Sequence, residues 1–217
     1  MTLPALVVFD LAGTTIEDRG QVPAAFTAAL ASHGIVATAD QITRMRGASK
    51  RQAIRAFVVS DAEASRVYAA FQLELAARFE ADGVNPMPGA AACCQQLRQA
   101  GIKVALTTGF DRDITRMLIS ALSWQDAADT IVCGDDVAQG RPAPDLILRA
   151  MADTGVTNAT TVATVGDTTL DLEAGAAAGV GWNIGVLSGA HGRDALARSP
   201  HTHIVRSVAD LRPLWGL

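Results

Sequence analysis

Apolar and polar positions follow two regimes along this chain. The stretch Val7-Val8-Phe9-Asp10-Leu11-Ala12-Gly13-Thr14-Thr15 is a β-branched and aromatic run that ends in a carboxylate and breaks at glycine. That pattern predicts a buried strand delivering an acid to its carboxyl end. From about residue 19 to 84 no strand pattern recurs. Phe26, Leu30 and Ile35 mark one apolar stripe, with Pro23 suited to a first helical turn, and Ile42 and Met45 mark a second. Ile54, Phe57 and Val58 define a helix over 50–59, and Val67, Tyr68, Phe71, Leu75 and Phe79 another over 61–81, all at helical spacing. Past Asn85-Pro86-Met87-Pro88-Gly89 the period switches. Helices at 90–100, 111–122, 144–151 and 169–178 alternate with strands at 102–106, 130–133, 161–165 and 182–186, before a short C-terminal strand and helix.

Strand and helix in alternation predict an α/β fold: a doubly wound parallel-sheet, Rossmann-like core of residues 1–18 and 85–217. An all-helical cap, residues 19–84, is inserted after the first strand. The two-proline stretch marks one crossing between cap and core, and Arg19-Gly20 the other.

Composition narrows the partners. With 217 residues the chain fits a large domain or a core with a smaller insertion. A net charge of -4, with signs scattered, argues against nucleic acid and against a membrane surface. The expected partner is a small molecule, and a homodimer is compatible with this composition. Cys93, Cys94 and Cys133 are too few and wrongly spaced for a disulfide framework or a zinc site. They read as buried hydrophobes in a reducing, cytoplasmic compartment. Residues 1–4 run directly into the first strand without a secretory pattern. The longest uncharged run, 174–190, is broken by glycines and reads as helix end, turn and strand rather than a membrane span.

Ligands of open parallel sheets bind beyond the carboxyl ends of the strands, which is where Asp10 sits. Other strands also end in polar groups. Thr107-Thr108-Gly109-Phe110 supplies a hydroxyl and amide N–H groups, with Asp111 expected to cap the next helix. Gly140-Arg141-Pro142-Ala143-Pro144 holds one cation at the mouth of a helix. Gly166-Asp167-Thr168 and Asp171 add two carboxylates, which beside Asp10 repel unless a divalent cation lies among them. Hard oxygen ligands suit Mg²⁺. His201 and His203, on one face of a late strand, lack a third ligand and read as a solvated edge. His191 lines the mouth or caps a helix. Trp124, Trp182 and Trp215 read as packing.

The four strand ends resemble the four motifs of the haloacid dehalogenase-like hydrolases, in order: Asp10 in DLAGTT, Thr108 in LTTGF, Arg141 in GRPAP, and Asp167 with Asp171 in GDTTLD. The resemblance covers nearly the whole chain, cap insertion included. It implies that Asp10 attacks phosphorus to form an aspartyl-phosphate. Mg²⁺ is then held by Asp10, the backbone carbonyl of Ala12 and Asp167, with Asp171 supporting the metal shell. Thr108, the Gly109 amide and Arg141 neutralise phosphoryl oxygens, and Gly109, Thr14 and Arg46 count among the substrate-binding residues.

One departure narrows the substrate. Most relatives carry a second Asp two residues after the nucleophile, as acid for the leaving group and base for water; here that residue is Ala12. General acid catalysis is worth roughly 3 to 5 kcal/mol, so an alkyl phosphate would leave poorly. Alanine here is what phosphonatases have, the branch that hydrolyses phosphonoacetaldehyde, whose leaving group is a carbon that needs an electron sink. In that branch the sink is a cap lysine forming a Schiff base. The matching stretch is Gly47-Ala48-Ser49-Lys50, and the chain's only other lysine, Lys103, opens a core strand at its far end. Arg46, Ala53 and Phe110 replace the methionine, histidine and tyrosine usual in phosphonatases. Three roles for Lys50 stay open: Schiff-base former, cation reading a substrate carboxylate or second phosphate, and solvated cap residue. The expected activity is cleavage of a small phosphonate aldehyde. The alternatives are a phosphatase for a small phosphorylated metabolite and a non-catalytic phosphometabolite-binding module.

Overall fold

The computed structural model describes residues 3–217. Six strands, β1 (Leu6–Asp10), β2 (Lys103–Thr107), β3 (Thr130–Val132), β4 (Val162–Gly166), β5 (Trp182–Val186) and β6 (His203–Val205), form one sheet. Its order is β3-β2-β1-β4-β5-β6, and every pairing is parallel. β1 is buried on both faces because its side chains alternate between two cores. Val7 and Phe9 join Val104, Leu106 and Val165 on one side, while Leu6 and Val8 join Ala105, Leu146 and Ala150 on the other. In register, Asp10 stands beside Thr107 and Phe9 beside Val165. The polar residues that follow three strands therefore emerge at one level.

Helices α1 (Gln21–Ala31), α2 (Ala39–Arg44), α3 (Lys50–Arg55) and α4 (Asp61–Asp82) lie between β1 and β2, in the segment expected to be the cap. α2 starts with a capping box between Thr38 and Gln41, and the Ser60 hydroxyl accepts from Glu63 N at the start of α4. Phe26 of α1 takes Phe71 of α4 edge-on at 5.9 Å and Phe57 at 6.1 Å. Those contacts explain why α3 ends at Arg55 rather than running to residue 59. Ala56 N and Phe57 N bond three residues back, to Ala53 and Ile54, and this tighter turn swings Phe57 onto Phe26.

The core helices are α5 (Ala90–Gln99), α6 (Arg112–Ala121), α7 (Asp145–Thr154), α8 (Thr169–Ala178), α9 (Arg193–Leu196) and α10 (Arg212–Trp215). The four-residue α9 was too short for a periodic pattern to reveal. His201 falls outside β6, with Nδ1 on the Ser199 carbonyl, so the two histidines expected to share a strand face do not. The three cysteines are free and buried. Among the described residues no helix is long and apolar enough to cross a membrane.

The two connections between cap and core run side by side. Glu17 N donates to Asn85 O at 2.9 Å and Met87 N to Thr15 O at 2.8 Å, around an antiparallel bridge between Ile16 and Pro86. This short ladder ties the crossings together. Backbone freedom lies just outside it, at Gly20 and Gly83, both with positive φ.

Candidate active site

Asp10 ends β1 at 7% exposure. Burial, then the nearby Asp171 and Asp167 carboxylates, push its pKa up to about 8 against the pull of Arg141. Arg141 Nη1 lies 2.7 Å from Asp10 Oδ1, and its Nε lies 2.8 Å from Asp171 Oδ1. Its Nη2 donates to Thr107 Oγ1 at 2.8 Å, and Nη1 also reaches Gly47 O at 3.4 Å. The cation expected to meet phosphoryl oxygens is thus held by protein acceptors, because buried carboxylates outnumber the cations beside them.

Asp167 follows β4 at 1% exposure, and burial together with Asp171 pushes its pKa up to about 6. Its Oδ1 accepts from Thr14 Oγ1 at 3.2 Å and its Oδ2 from Ala190 N at 2.6 Å. Thr14, expected to contact substrate, is fully buried and orients this carboxylate instead. Asp171 differs from expectation too. Its Oδ2 closes a capping box on Thr168 N and Oγ1 at 3.0 and 2.5 Å, and its Oδ1 is on Arg141. It braces the site from behind and does not line the cavity.

The carboxylates of Asp10 and Asp167 and the Ala12 carbonyl fit a hard divalent cation. All are oxygen donors, and the two acids, crowded in a dry site, gain from added positive charge. The Ala12 carbonyl accepts no hydrogen bond among the described residues.

The cap closes over these groups through Gly47-Ala48-Ser49-Lys50. Lys50 N donates to Gly109 O at 3.3 Å. A Cβ on Gly109 would lie 2.6 Å from Ala48 O, one on Gly140 2.9 Å from Ser49 Cβ, and one on Gly47 2.4 Å from Thr168 Oγ1. Three glycines therefore allow backbone to meet backbone and side chain at the seam. What remains is a cavity of about 30 Å³ lined by Asp10, Ala12, Lys50, Thr108, Arg141 and Asp167, with Gly109 and Arg46 at its wall.

Lys50 is 6% exposed, and its Nζ donates to Ala48 O at 2.9 Å, 5.8 Å from the centre of the Phe110 ring. Burial lowers its pKa to about 8, with Asp10 opposing and Arg141 assisting. This is not a solvated cap residue. Arg46, beside it, pairs with Asp18 at 2.7 Å.

The structure adds Ser188 and Gly189, which the sequence pattern did not single out. The loop after β5 folds over Asp167, with Ser188 Oγ donating to Gly13 O at 2.8 Å. A Cβ on Gly189 would come within 2.0 Å of Asp167 Oδ2; Ser188-Gly189-Ala190 after a strand was the available signal. His191 Nδ1 accepts from Thr169 N at 3.0 Å, which resolves its two roles in favour of the helix cap. Asp111 makes no side-chain cap bond at the start of α6 and reaches Arg51 of the cap instead. A larger open groove of about 590 Å³, around Arg98, Lys103 and Trp124, adjoins the amino end of β2 and holds none of the groups above.

A strand ending in a buried carboxylate, two further acids, a guanidinium held by two of the three and a helical segment folded over them make up the candidate site. A family model described as haloacid dehalogenase-like hydrolase matches residues 7–183. The chain belongs to that family. Its relatives include the phosphonoacetaldehyde hydrolase of Paraburkholderia xenovorans, 30% identical over 201 residues, covering 83% of this chain and 73% of that protein. The phosphonoacetaldehyde hydrolase of Paraburkholderia phytofirmans is 28% identical over 252 residues, covering 96% and 92%. Within the family the sequence falls in the phosphonatase-like group. Among solved structures, a hydrolase from Pseudomonas syringae superposes with a TM-score of 0.87 at 25% identity over 96% of each chain. A phosphonoacetaldehyde hydrolase-like protein from Oleispira antarctica shares the fold, with a TM-score of 0.83 at 23% identity over 99% of this chain and 93% of that one.

Proposed function

We propose that this phosphonatase-like hydrolase is Mg²⁺-dependent and cleaves the carbon–phosphorus bond of a small phosphonate aldehyde such as phosphonoacetaldehyde, with Asp10 as nucleophile and Lys50 as Schiff-base former. The observation that carries this is the combination of Ala12 with a buried amine. No acid stands two residues after the nucleophile, and the cavity instead receives a lysine whose burial holds its pKa at about 8. A neutral amine can add to a carbonyl.

In the proposed reaction, Lys50 condenses with the aldehyde, losing water and leaving a protonated imine. Asp10 then attacks phosphorus. Its Oδ1 is held by Arg141, and Oδ2 carries no hydrogen bond among the described residues, which supports Oδ2 as the attacking atom. As the carbon–phosphorus bond breaks, its electron pair passes toward the iminium nitrogen to give an enamine. The enamine takes a proton at carbon, water releases acetaldehyde from Lys50, and a second water releases phosphate from Asp10. Asp10, Asp167 and the Ala12 carbonyl would hold Mg²⁺, which when bound would supply positive charge for the phosphoryl oxygens. Thr108 and the Gly109 amide donate to those same oxygens, and the closed cap excludes water until the imine has formed.

The test is borohydride trapping with phosphonoacetaldehyde followed by peptide mass spectrometry. A reduced adduct on Lys50 and none on Lys103, with phosphate release that requires Mg²⁺, is the expected result. An unmodified Lys50, with activity on phosphate esters surviving Lys50→Arg, overturns it.

A second reading rests on Arg46, which lines the cavity beside Lys50. Two cations there suit a small phosphorylated metabolite with a second anionic group, and the protein is then a phosphatase with Lys50 as specificity cation. A panel of phosphate esters with and without a second carboxylate or phosphate tests it. Preference for the doubly anionic members that is lost in both Lys50→Met and Arg46→Met supports this reading.

A further inference from the structure

Lys50 is held over the site by a segment with little support of its own. Its residues 47–49 are not helical, and α3 spans only six residues. The core side of the contact is Thr108-Gly109-Phe110, followed by Asp111. The two segments meet residue against residue: Lys50 N on Gly109 O, Lys50 Nζ above the Phe110 ring, and Arg51 Nε on Asp111 Oδ2 at 2.6 Å. The ion pair is therefore one residue away from the proposed amine on one side and from its aromatic neighbour on the other.

Asp111 is placed for this contact at the expense of its helix. It sits at the N-cap of α6 with extended backbone, the geometry in which an aspartate ordinarily accepts from the first turn, yet it makes no such bond. Its side chain, 5% exposed, turns to the cap. There the Arg51 guanidinium lies 4.1 Å from the centre of the Tyr68 ring, so α4 supports Arg51 from behind. Asp111 Oδ1 and the Tyr68 hydroxyl are both buried without a hydrogen-bond partner. After burial itself, Asp111 is the group that most raises the Tyr68 pKa. An acceptor and a donor thus face the same small space, and a buried carboxylate that gives up a cap bond requires another partner.

We infer that Arg51 and Asp111, backed by Tyr68, form a clasp between cap and core that positions Lys50 in the closed site. They are positioning residues that act through Lys50 and do not touch substrate. This rests on the proposed role of Lys50, and the experiment separates the two claims.

The two lysines make the test direct. Reductive methylation with formaldehyde and borohydride, read by peptide mass spectrometry, compares Lys50 with the exposed Lys103 in one molecule. In Arg51→Met, which keeps an apolar chain over Tyr68, methylation of Lys50 relative to Lys103 rises several-fold. kcat/KM falls roughly 10- to 100-fold, as expected for loss of alignment, and the melting temperature falls as well, because the buried Asp111 carboxylate loses its cation. Asp111→Asn shifts both readouts in the same direction, and Arg51→Lys recovers part of the loss. A merely structural role would lower stability without moving the methylation ratio. Unchanged ratios in both Arg51→Met and Asp111→Asn overturn the clasp. If the wild-type protein forms no aldehyde adduct while the ratio still rises in the variants, the clasp stands and the Schiff-base role of Lys50 fails.

Discussion

Arg141 lies between Asp10 and Asp171, with Nη1 2.7 Å from Oδ1 of the first and Nε 2.8 Å from Oδ1 of the second, all three side chains almost wholly buried. One guanidinium thus restrains two of the three carboxylates that gather beyond β1 and β4. Removing it leaves charges that water cannot reach. Arg141→Met is expected to cost about 3 kcal/mol of stability, read from urea unfolding, and to abolish phosphate release. Arg141→Lys, which has no planar fork to span both acids, should fall between wild type and Arg141→Met in both readouts.

Divalent cation should stabilise the folded protein, since Asp10 and Asp167 gain from it and the unfolded chain does not. At one hundred times its dissociation constant a ligand adds about 2.7 kcal/mol. Mg²⁺ is therefore expected to raise the melting temperature, with chelation reversing the change. Asp167→Asn removes one proposed ligand and should shrink the response. Lys103→Met, at the far end of β2, should leave it intact.

Lys50 gives a pH dependence with a definite sign. Its folded pKa is lowered to about 8 from an ordinary 10.5, so burial of the charged form opposes folding in full below pH 8. The penalty fades as pH rises from 8 to 10.5. Lys50→Met should stabilise the protein by roughly 3 kcal/mol at pH 7, with the gain disappearing near pH 10.5. Denaturant unfolding at several pH values measures this. Phosphonate cleavage in the wild type should climb through a limb near pH 8 as the neutral amine forms. A limb that stays near 10.5 would contradict a dry Lys50.

Gly109→Ala tests the seam between cap and core. Its Cβ would lie 2.6 Å from Ala48 O, and neither backbone can yield without moving the other. The variant is expected to hold the cap away from the core and to lower kcat/KM roughly 100-fold. Hydrogen exchange of residues 47–55 should rise while the strands of the core keep their protection. Unchanged exchange would show that the seam accommodates a methyl group.

Ala12→Asp introduces an acid two residues after Asp10. With a proton donor beside the leaving group, hydrolysis of simple alkyl phosphates should rise by roughly 10²-fold and phosphonate cleavage should not. A further carboxylate beside Asp10 and Asp167 also adds repulsion, so the variant should be less stable than wild type and depend more on Mg²⁺. Ester and phosphonate assays on one preparation settle both points.

The sequence alone determined the α/β alternation, the helical insertion and the acids and arginine of the site. Each is a local signal: periods of about two and 3.6 residues report burial, and a polar residue after an apolar run marks a strand's end. Asp10, Thr108, Arg141 and Asp167 were legible in this way, and Lys50 through the resemblance of Gly47-Ala48-Ser49-Lys50 to phosphonatases. Tertiary structure decided how the site is held. Thr14 turns to Asp167 across 153 positions, Arg51 reaches Asp111 across 60, and Arg46 meets Asp18 across 28. No local pattern encodes such pairings, because they depend on strand order and on where the cap settles. The same holds for the low pKa of Lys50. A lysine in sequence is an ordinary cation, and only closure of the cap onto Gly109, Gly140 and Thr168 removes the water that would keep it one.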